Sequence, residues 1–236
     1  AECTVVAVIF IIGNSIIHEV EQIARLNKMK SEFVSIASHQ LRTPLSAIRW
    51  ETEILLSKFA SGLNEKQKET IENISQSGHQ MARLVNDLLD VARIDQGQLV
   101  LKKEKVNLTA ITQEVIRNIL PLAQAGKVLV IFDEKNPAWV IGDADKLKLA
   151  IENLLSNAIK YTLGKGIVEI NFLKKDGFYN FSIKDNGAGI PAGQQKKIFE
   201  KFFRSDNVLK NNTTGTGLGL YITKNIVEQS GGKAWF

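Results

Sequence analysis

Residues 34–59 read VSIASHQLRTPLSAIRWETEILLSKF, and their apolar side chains recur at steps of three and four. This spacing predicts an amphipathic helix, which we expect over residues 18–59. A break at residues 61–64 precedes a second helix of the same spacing, where Asn64 and Gln67 predict a capping box. Two long helices joined by a short loop predict an antiparallel hairpin. The apolar positions are Val34, Ala37, Leu41, Leu45, Ile48, Thr52, Leu55 and Phe59 in the first helix and Ile71, Ile74, Gly78, Met81, Val85, Leu88 and Ala92 in the second.

The apolar surface of this hairpin exceeds what one chain can bury. Besides the two stripes, the second helix carries Leu84, Leu89 and Val91 on its other sides. A helix that is apolar over so wide an arc is covered by more than one neighbour. We therefore expect two copies of the chain to form a homodimer, in which the two hairpins build a four-helix bundle.

The composition indicates a folded protein of one or two domains. The chain has 236 residues, of which 44% are hydrophobic and 23% charged, and these values exclude a disordered chain and a polytopic membrane protein. A single cysteine excludes a disulfide framework and a cysteine-based zinc site, and three histidines argue against a multi-histidine metal site. The net charge of +5 comes from scattered lysines, so we expect no nucleic-acid partner.

Residues 1–27 carry an apolar run, TVVAVIFII at positions 4–12, with no basic segment before it. The run is shorter than the roughly 20 apolar residues that span a bilayer, and it is not a signal peptide as it stands. Three alternatives stay open. The run is the end of a truncated transmembrane helix, the last β-strand of a sensor domain, which its β-branched residues favour, or a free-standing soluble helix. In the first two, residues 1–27 end in a signalling helix that leads into the hairpin.

His39 differs from the other two histidines in its position. At about 100° per residue it lies on the outer face of the first helix, away from Leu41 of the apolar stripe. Pro44 follows in the next turn, where a proline removes an amide donor and usually bends a helix. An exposed imidazole beside such a hinge suits a nucleophile approached by a large partner, although an ordinary surface histidine fits the spacing too. For His18 and His79 we expect surface or packing roles.

After residue 95 the periodicity indicates a second domain. Strands followed by helices, with a hairpin signal at residues 175–177, predict an α/β sandwich with a mixed or antiparallel sheet. The whole chain is therefore of the α+β class. The expected strands are residues 99–106, 128–132, 167–172 and 178–184, the expected helices are residues 108–125, 143–161 and 217–230, and a further strand begins within residues 231–236.

Two clusters in this domain carry groups that suit a phosphate-bearing ligand. Within the helix 143–161, Asn153, Asn157 and Lys160 fall on one face at steps of four and three. Their amide oxygens can join a Mg²⁺ shell and the ammonium group can meet a phosphate, although a solvated polar stripe has the same pattern. Residues 185–191, DNGAGIP, follow a strand. Their glycines allow a ligand close to the backbone and Asp185 can accept from an exocyclic amine, although a plain Asn-Gly turn also fits.

Two further clusters follow along the chain. Residues 198–204, IFEKFFR, place Arg204 as a phosphate ligand after aromatic residues that we expect mainly in the core. Residues 215–220, GTGLGL, open a helix, where free amides and the helix dipole converge on an anion. No P-loop lysine follows, and no βαβ unit of a dinucleotide fold surrounds the glycines. The polar residues 205–214 between these clusters are expected to form a mobile lid.

Together these segments resemble those of bacterial sensor histidine kinases. Residues 38–44, SHQLRTP, look like the family's H-box, and the four clusters are similar to its N-box, G1 box, F-box and G2 box in the same order. The resemblance covers residues 28–236. It implies a dimerisation and histidine-phosphotransfer domain over residues 28–95 and a Bergerat-type ATP-binding catalytic domain, shared with gyrase and MutL, over residues 96–236. It also implies the cytoplasmic catalytic portion of a membrane-anchored protein that uses ATP and Mg²⁺.

The resemblance further implies a role for each matching residue. An ATP-dependent histidine kinase of this type would phosphorylate His39 and pass the phosphoryl group to an aspartate of a response-regulator receiver domain. Gln40 would orient the imidazole, and Thr43 would orient the water that removes phosphate from the partner. Asn157 would bind Mg²⁺. The nucleotide would contact Asn153, Asn157, Lys160, Tyr161, Asp185, Gly187, Gly189, Arg204, Gly215, Gly217, Leu218 and Gly219.

Two features depart from the family's pattern. The residue after the phosphoacceptor is commonly Glu or Asp, acting as a base, whereas Gln40 supplies no negative charge, so we expect a slower but competent kinase. The family's domain has a final hairpin after the glycines that correspond to Gly231 and Gly232. Only four residues follow them here, so we expect the last strands to be missing.

Two other functions fit parts of the pattern. An ATPase of the gyrase type places a glutamate base where this chain has Asn153, which argues against that class. A dimeric nucleotide-binding module with weak or no kinase activity, acting mainly as a phosphatase or scaffold, stays open as the alternative.

Overall fold

The structure, a computed structural model, describes residues 2–134, 136–162, 164–206 and 215–236, with the side chains of residues 2–15, 30 and 31 outside the description. The chain divides into two compact units, Ala1–Leu99 and Val100–Phe236.

The first unit is a helical hairpin. Helix α1 spans Glu2–Lys58, a 3-10 helix spans Ala60–Gly62, and helix α2 spans Glu65–Asp95. The predicted capping box is confirmed. The side chain of Asn64 accepts a hydrogen bond from the backbone N–H of Gln67 at 2.9 Å, and the side chain of Gln67 accepts one from the backbone N–H of Asn64 at 3.0 Å. Helix α1 continues through Pro44, which removes one backbone donor without ending the helix.

Helix α1 begins earlier than the sequence indicated. Its backbone is helical from Glu2, which excludes the strand alternative for residues 4–12. β-branched residues lower helix propensity only slightly, and extending an existing helix costs much less than starting one. Within the described residues, no helix has the combination of length and apolar character that crossing a membrane requires.

The hairpin buries only part of its apolar stripes. Leu45 of α1 and Val85 of α2 are buried, whereas Leu41, Ile48 and Met81 remain 47%, 44% and 50% exposed. On each helix, buried and exposed positions of the stripe alternate, so an apolar surface remains along the outside of the hairpin. We call this surface the open hairpin face; it consists of Leu41, Ile48, Leu55, Ile74 and Met81.

The second unit is an α/β sandwich with a mixed sheet, as predicted. The strands are β1 Glu104–Asn107, β2 Val128–Ile131, β3 Trp139–Gly142, β4 Gly166–Lys175 and β5 Phe178–Asp185, and the helices are α3 Leu108–Ala125, α4 Ala144–Tyr161, a 3-10 helix Ala192–Lys197 and α5 Gly219–Gln229. Strands β2, β4 and β5 form one sheet in the order β2-β4-β5, in which β4 runs parallel to β2 and antiparallel to β5. Strands β1 and β3 pair antiparallel in a second sheet.

The core of this unit lies between the three-stranded sheet and the helices α3 and α4. Val168 of β4, Val115 of α3 and Leu155 of α4 are fully buried in one apolar cluster. Alternate residues at the start of β4 point into this cluster, as expected of a strand with one covered face. Helix α4 is thereby fixed with its opposite face directed away from the core.

Three details differ from the sequence-based expectation. Strand β1 begins at Glu104 rather than at residue 99, because the backbone N–H of Lys102 donates to the Asp143 carboxylate at 3.0 Å instead of joining a sheet. Strand β3 was not predicted, since four residues are too few to show a clear alternation. Residues 231–236 form no strand, and Trp235 and Phe236 are exposed because no neighbouring strand pairs with them.

Candidate functional site

The first group of candidate residues lies in α1. Ser38 is buried, whereas His39, Gln40 and Thr43 are exposed. The imidazole of His39 therefore lies on the outside of the hairpin, as its spacing from the apolar stripe predicted. Thr43 follows His39 by four residues, so the two side chains are neighbours on the helix surface.

The other two histidines make local contacts. The Nδ1 atom of His79 donates to the carbonyl of Ser75 at 2.8 Å, and its Nε2 lies 3.9 Å from the Glu53 carboxylate of α1. The Nε2 of His18 lies 3.3 Å from the Gln22 side chain. These contacts agree with the expected surface and packing roles.

Helix α4 is anchored at its start by Asp143. One carboxylate oxygen accepts from the Lys146 N–H at 3.1 Å and the other from the Lys102 N–H at 3.0 Å. Burial disfavours the charged form of Asp143, but the backbone donors, chiefly those of Lys102 and Lys146, and the positive charge of Lys102 together hold the pKa of its carboxyl below the ordinary value. The cap thus fixes the position of a helix whose outer face carries the next candidates.

That outer face is only partly covered. Asn153, Asn157, Lys160 and Tyr161 are all half-buried, while Leu155 on the opposite face is fully buried. Because the helix backbone is fixed and these side chains are only half-buried, their polar ends stay accessible to a ligand. The face can therefore present two amides, an ammonium group and a phenol to one ligand.

The end of α4 is tied closely to the start of β4. The hydroxyl of buried Thr162 donates to the carbonyl of Ala158 at 2.6 Å. A Cβ at position 166 would overlap the Cγ2 atom of Thr162, so Gly166 is the residue that fits. The last turn of α4 is consequently held by the Thr162 side chain, through its hydrogen bond to Ala158 and its close packing against Gly166.

The loop after β5 contacts this last turn. The Asp185 carboxylate accepts from the Gly187 N–H at 2.9 Å, and the Ala188 N–H donates to the carbonyl of Tyr161 at 3.2 Å. A Cβ on Gly187 would clash with the same Tyr161 carbonyl, so glycine is required by close approach. Gly189 has a φ of +65°, a conformation that favours glycine. The structure therefore brings the DNGAGIP segment to α4.

The glycine-rich segment before α5 contacts α4 as well. The Asn153 amide donates to the carbonyl of Gly219 at 3.4 Å. A Cβ on Gly215 would lie 3.1 Å from Lys160 Nζ and 3.7 Å from the Tyr161 hydroxyl. The N-cap residue of α5, Leu218, is fully buried and its side chain makes no capping hydrogen bond. The amide groups and the dipole at the start of such a helix attract anions.

Arg204 reaches the same region. Burial raises the pKa of the Tyr161 hydroxyl, and the positive charge of Arg204 opposes that rise, so the two side chains are electrostatic neighbours. Arg204 and Tyr161 are both half-buried. Lys160 and the Tyr161 hydroxyl therefore lie beside Gly215, and the positive charge of Arg204 acts on the same tyrosine.

Sequence reasoning missed Phe202 and Thr216. Phe202 has a φ of +61° and its backbone faces Gly217, where a Cβ would lie 2.7 Å from the Phe202 carbonyl carbon. Thr216 accepts from the Leu218 N–H at 3.2 Å. A phenylalanine in the left-handed conformation has no sequence signal, whereas a threonine two residues before a helix N-cap could have been recognised as a turn residue. With Phe202 60% exposed, the expectation of a mainly buried aromatic run is only partly correct.

The lid expected over residues 205–214 lies largely outside the described residues. At its start, Ser205 is buried and Asp206 pairs with Gln194 through two bonds. The Gln194 amide donates to the Asp206 carboxylate at 2.5 Å, and the Asp206 N–H donates to the Gln194 amide oxygen at 3.1 Å.

A magnesium ion fits the residues that are present. In the described part of the chain, no three His, Cys, Asp or Glu side chains cluster so as to hold a metal. Mg²⁺ bound with a nucleotide needs only one or two protein ligands, since waters and phosphate oxygens supply the others. The amide oxygen of Asn157, half-buried one turn after Asn153, meets that requirement.

The two units match two protein families. Residues 29–97 match the family described as the His Kinase A (phospho-acceptor) domain, and residues 142–236 match the Histidine kinase-, DNA gyrase B-, and HSP90-like ATPase family. The chain belongs to the sensor histidine kinases. In this histidine kinase, the exposed His39 lies in the first matched region, and the contacts around α4 lie in the second.

Individual histidine kinases support the same assignment. The circadian input-output histidine kinase CikA of Synechococcus elongatus is 34% identical over 87% of this chain and 28% of its own length. The sensor protein kinase WalK of Staphylococcus aureus is 31% identical over 94% of this chain and 53% of its own length. The crystal structure of full-length ShkA in complex with AMPPNP superposes with a TM-score of 0.66 at 26% identity, over 84% of this chain and 40% of that one. This histidine kinase chain therefore spans about half or less of these relatives.

Proposed function

We propose that this chain uses ATP to phosphorylate its own His39 and passes the phosphoryl group to an aspartate of a response-regulator receiver domain. The observation that carries the proposal is the convergence of separate segments on α4. The loop after β5 meets α4 through Ala188 and Tyr161, and the start of α5 meets it through Gly219 and Asn153. On the family resemblance alone, the proposal also assigns the chain to the cytoplasmic part of a membrane-anchored sensor.

In this proposal, the adenine lies against the loop after β5. Asp185 accepts from the exocyclic amine of the base, because one of its oxygens is already fixed by the Gly187 N–H and a carboxylate has a second oxygen to offer. Gly187 and Gly189 leave room for the base, since neither carries a side chain. The half-buried Tyr161 forms the adjoining wall.

The phosphates would lie between α4 and the start of α5. Anions bind at uncapped helix N-termini because free amides and the helix dipole converge there. Lys160 and Arg204 add positive charge, and the three glycines of the segment allow the phosphates to approach the backbone. Mg²⁺, held by Asn157, would screen the triphosphate charge. The residues assigned to the phosphates are Asn153, Lys160, Arg204, Gly215, Gly217, Leu218 and Gly219.

At His39 the chain supplies the nucleophile. The lone pair of Nε2 forms the N–P bond while the bond between the γ-phosphorus and the bridging oxygen breaks, and its electron pair leaves with ADP. Gln40, the next residue, can accept from the imidazole Nδ1–H and so fix the tautomer that leaves Nε2 unprotonated. Because the transition state is loose, positioning and charge neutralisation dominate the rate, and a missing base slows the step without preventing it.

Thr43 supports a second activity of the same surface. Its hydroxyl is exposed one turn after His39. There it can orient a water molecule toward a phosphoaspartate on a receiver domain docked against α1. The neutral Gln40 weakens the kinase but leaves this hydrolytic role intact, so the phosphatase alternative rests on the same residues.

The open hairpin face supports a homodimer. Isolated apolar residues are common on protein surfaces, but a continuous apolar stripe on both helices of a hairpin indicates a missing partner. A second copy of the hairpin has a matching stripe and would complete a four-helix bundle. The receiver domain would then meet the outer surface around His39.

The test is incubation of the purified chain with Mg²⁺ and ATP labelled in the γ-phosphoryl group. We expect acid-labile, alkali-stable label on the protein, lost in His39→Gln and retained in the control His79→Gln. Addition of a receiver domain should then transfer the label to an aspartate. Label that persists in His39→Gln would contradict the proposal, and ATP hydrolysis without any label would indicate a plain ATPase.

A further inference from the structure

Within the described residues, two cation–π contacts join residues 198–204 to helix α5. The ammonium group of Lys201 lies 5.0 Å from the centre of the Tyr221 ring. The ammonium group of Lys224 lies 5.6 Å from the centre of the Phe199 ring. Residues 198–204 and α5 thus each contribute one ring and one cation. Tyr221 and Lys224 are three residues apart on α5, so they share one face of the helix.

The contacts follow one another in a regular order. As the residue number rises from 199 to 202, the number of the residue contacted falls from 224 through 221 to 217. The last of these is the contact of the Phe202 backbone with Gly217, where an added Cβ would lie 2.7 Å from the Phe202 carbonyl carbon. Residues 198–204 therefore run antiparallel to α5, and the chain leads to Arg204 at the glycine-rich start of the helix.

The backbone of Phe202 requires fixed contacts on this segment. Its φ of +61° lies in a region that residues with a bulky side chain rarely adopt, and such a conformation persists only where the surroundings hold it. The Phe202 side chain is 60% exposed and contributes little to holding the backbone. The preceding residue, Lys201, does so through its contact with Tyr221.

We propose that these two cation–π pairs position Arg204 and Gly217 for the phosphates of the nucleotide. The pair of Lys201 and Tyr221 is the nearer of the two to Arg204 along the segment. The inference rests on the function proposed above, because it requires phosphates at the start of α5. Lys201 and Tyr221 would act through Arg204 and the glycine-rich segment, without touching the nucleotide.

A fixed segment binds phosphate more tightly than a loose one. Ordering an arginine side chain and its backbone costs conformational entropy, and this cost is smaller when the segment is held in place before the ligand arrives. Gly217 has a φ of +71° and packs against Phe202, so a shift of residues 198–204 would also move the glycine-rich segment. Loss of the Lys201 contact should therefore weaken the binding of phosphates, while the adenine contacts of the loop after β5 stay unchanged.

Lys201 and Tyr221 are the better pair for an experiment. The ammonium group of Lys224 also lies 3.8 Å from the Glu228 carboxylate, so its replacement would remove an ion pair as well. Lys201 is exposed and Tyr221 is half-buried, so neither substitution opens a cavity in the core.

The first experiment measures the affinity of the full chain for ATP and for adenosine, both in competition with a fluorescent ATP analogue. Lys201→Met keeps a long side chain without the charge, and ATP should bind about threefold more weakly, in line with the loss of one exposed cation–π contact. Adenosine should bind as it does to wild type. Lys201→Arg should retain the ATP affinity, because a guanidinium group also binds an aromatic face.

Two controls match this substitution. Lys197→Met removes the same charge from an exposed position nearby and should leave the ATP affinity unchanged. Lys105→Met removes a cation–π contact of the same kind elsewhere in the unit, where the ammonium group lies 4.8 Å from the centre of the Trp139 ring. It should leave the ATP affinity unchanged as well.

The second experiment is a double-mutant cycle that separates the contact from the charge. Tyr221→Leu removes the ring and keeps the charge of Lys201, so it should weaken ATP binding by a similar factor. Tyr221→Phe keeps a ring and should bind ATP like wild type. In the Tyr221→Leu background, Lys201→Met should have no further effect, because the contact is already absent. Melting temperatures of all variants are measured alongside.

The outcomes distinguish this inference from the proposed function. If the wild-type chain binds no ATP, both fall together. If it binds ATP but acquires no label on His39, the proposed kinase activity falls, and the affinities still decide the inference. If Lys201→Met binds ATP as tightly as wild type, only the inference is overturned, and a lower melting temperature with unchanged ATP affinity likewise leaves the pair a structural role alone.

Three further results bear on the cause. Equal losses of affinity for ATP and adenosine would overturn the inference, because the phosphates would not be the group affected. An equal loss in Lys197→Met would overturn it too, since general charge would then be the cause. Should Tyr221→Leu fail to fold, the comparison of Lys201→Met with Lys201→Arg decides, because equal affinities in these two variants contradict the positioning role.

Discussion

The side-chain amide of Asn153 donates to the backbone carbonyl of Gly219 over 3.4 Å, joining the middle of α4 to the first residue of α5. A Cβ on Gly219 would lie 3.3 Å from Cγ of Asn153, so the two helices meet with little spare room. The contact brings a residue of the N-box cluster and one of the glycine-rich segment together, although 66 positions separate them in the chain. This pair marks the centre of the proposed phosphate site.

Gly187→Ala should weaken nucleotide binding. The new Cβ would clash with the Tyr161 carbonyl, and relieving the clash moves the loop that carries Asp185. Overpacking of this kind typically costs about 1–3 kcal/mol, or roughly tenfold in affinity. Titration with a fluorescent ATP analogue checks the change. Gly193→Ala, where no atom lies near the added methyl group, is the control and should bind like wild type.

Asn157→Ala should raise the Mg²⁺ concentration that half-maximal autophosphorylation requires. The amide oxygen is the proposed protein ligand, and its loss leaves the ion held by phosphate oxygens and water. We expect a shift of about tenfold or more, comparable to the loss of other metal-site interactions. Magnesium titrations at saturating ATP measure the shift. An unchanged magnesium dependence would exclude Asn157 as the ligand, and Asn171→Ala on the exposed side of β4 provides the comparison.

Gln40→Glu should accelerate autophosphorylation. A carboxylate beside His39 can accept the Nδ1–H and also stabilise the positive charge that develops on the ring, whereas the amide does only the former. We expect an increase of about tenfold, less than the roughly hundredfold or more of full general-base catalysis, because the amide of Gln40 already fixes the tautomer. Initial rates with labelled ATP measure it, with Gln76→Glu of α2 as the charge-matched control. A rate at or below that of wild type would refute the expectation that Gln40, in place of an acidic residue, slows the kinase.

The stability of the second unit should fall in acid because of Asp143. Its pKa is lower in the folded protein than the unfolded value near 3.9, so its contribution is complete above that value and disappears as the pH drops through the folded pKa. Asp143→Ala should cost about 1–2 kcal/mol at pH 7, the loss of an N-cap. Urea unfolding at pH 7 and below pH 4 tests both statements. In the variant this part of the acid sensitivity should vanish, while Asp145→Asn should keep it.

Met81→Glu should dissociate the proposed homodimer. Met81 is 50% exposed on the open hairpin face, and a carboxylate there would have to be buried between two hairpins without a partner. Light scattering after size-exclusion chromatography should report a dimer for the wild-type chain and a monomer for the variant at micromolar concentration. Leu173→Glu, on β4 at a position that is 61% exposed, should remain dimeric. A monomeric wild-type chain would remove the four-helix bundle from the proposal.

Helices were the best-predicted elements because their signals are local. The bounds predicted for α3 agree with the structure, Leu108–Ala125, since Asn107 caps the first turn and Gly126 follows the last. The start of α2 was equally clear from Asn64 and Gln67. Strand β3 and the start of β1 could not be predicted in this way, because both depend on partners far along the chain. The hydrogen bond from Lys102 to Asp143, which keeps residue 102 out of a sheet, is one such long-range effect.

The candidate site was predictable by residue type but not by geometry. The spacing of Asn153, Asn157 and Lys160 placed them on one helix face, and the glycine-rich segment suggested an anion site. That Gly187 contacts the Tyr161 carbonyl, or that Gly217 faces Phe202, could not be derived, since each depends on tertiary packing. The hydrogen bond from Arg42 to Asn86 has the same character.

The close packing between Thr162 and Gly166 fixes the end of α4, which carries Lys160 and Tyr161 of the proposed nucleotide site. Because a Cβ at position 166 would overlap Cγ2 of Thr162, this end of the helix has little room to shift when a ligand binds. Accommodation of ligands that differ in the number of phosphates must then come from the start of α5, where the side chain of the N-cap residue Leu218 makes no capping hydrogen bond. Selection for altered nucleotide preference should accordingly collect substitutions near Thr216 and Leu220, and leave the turn into β4 untouched.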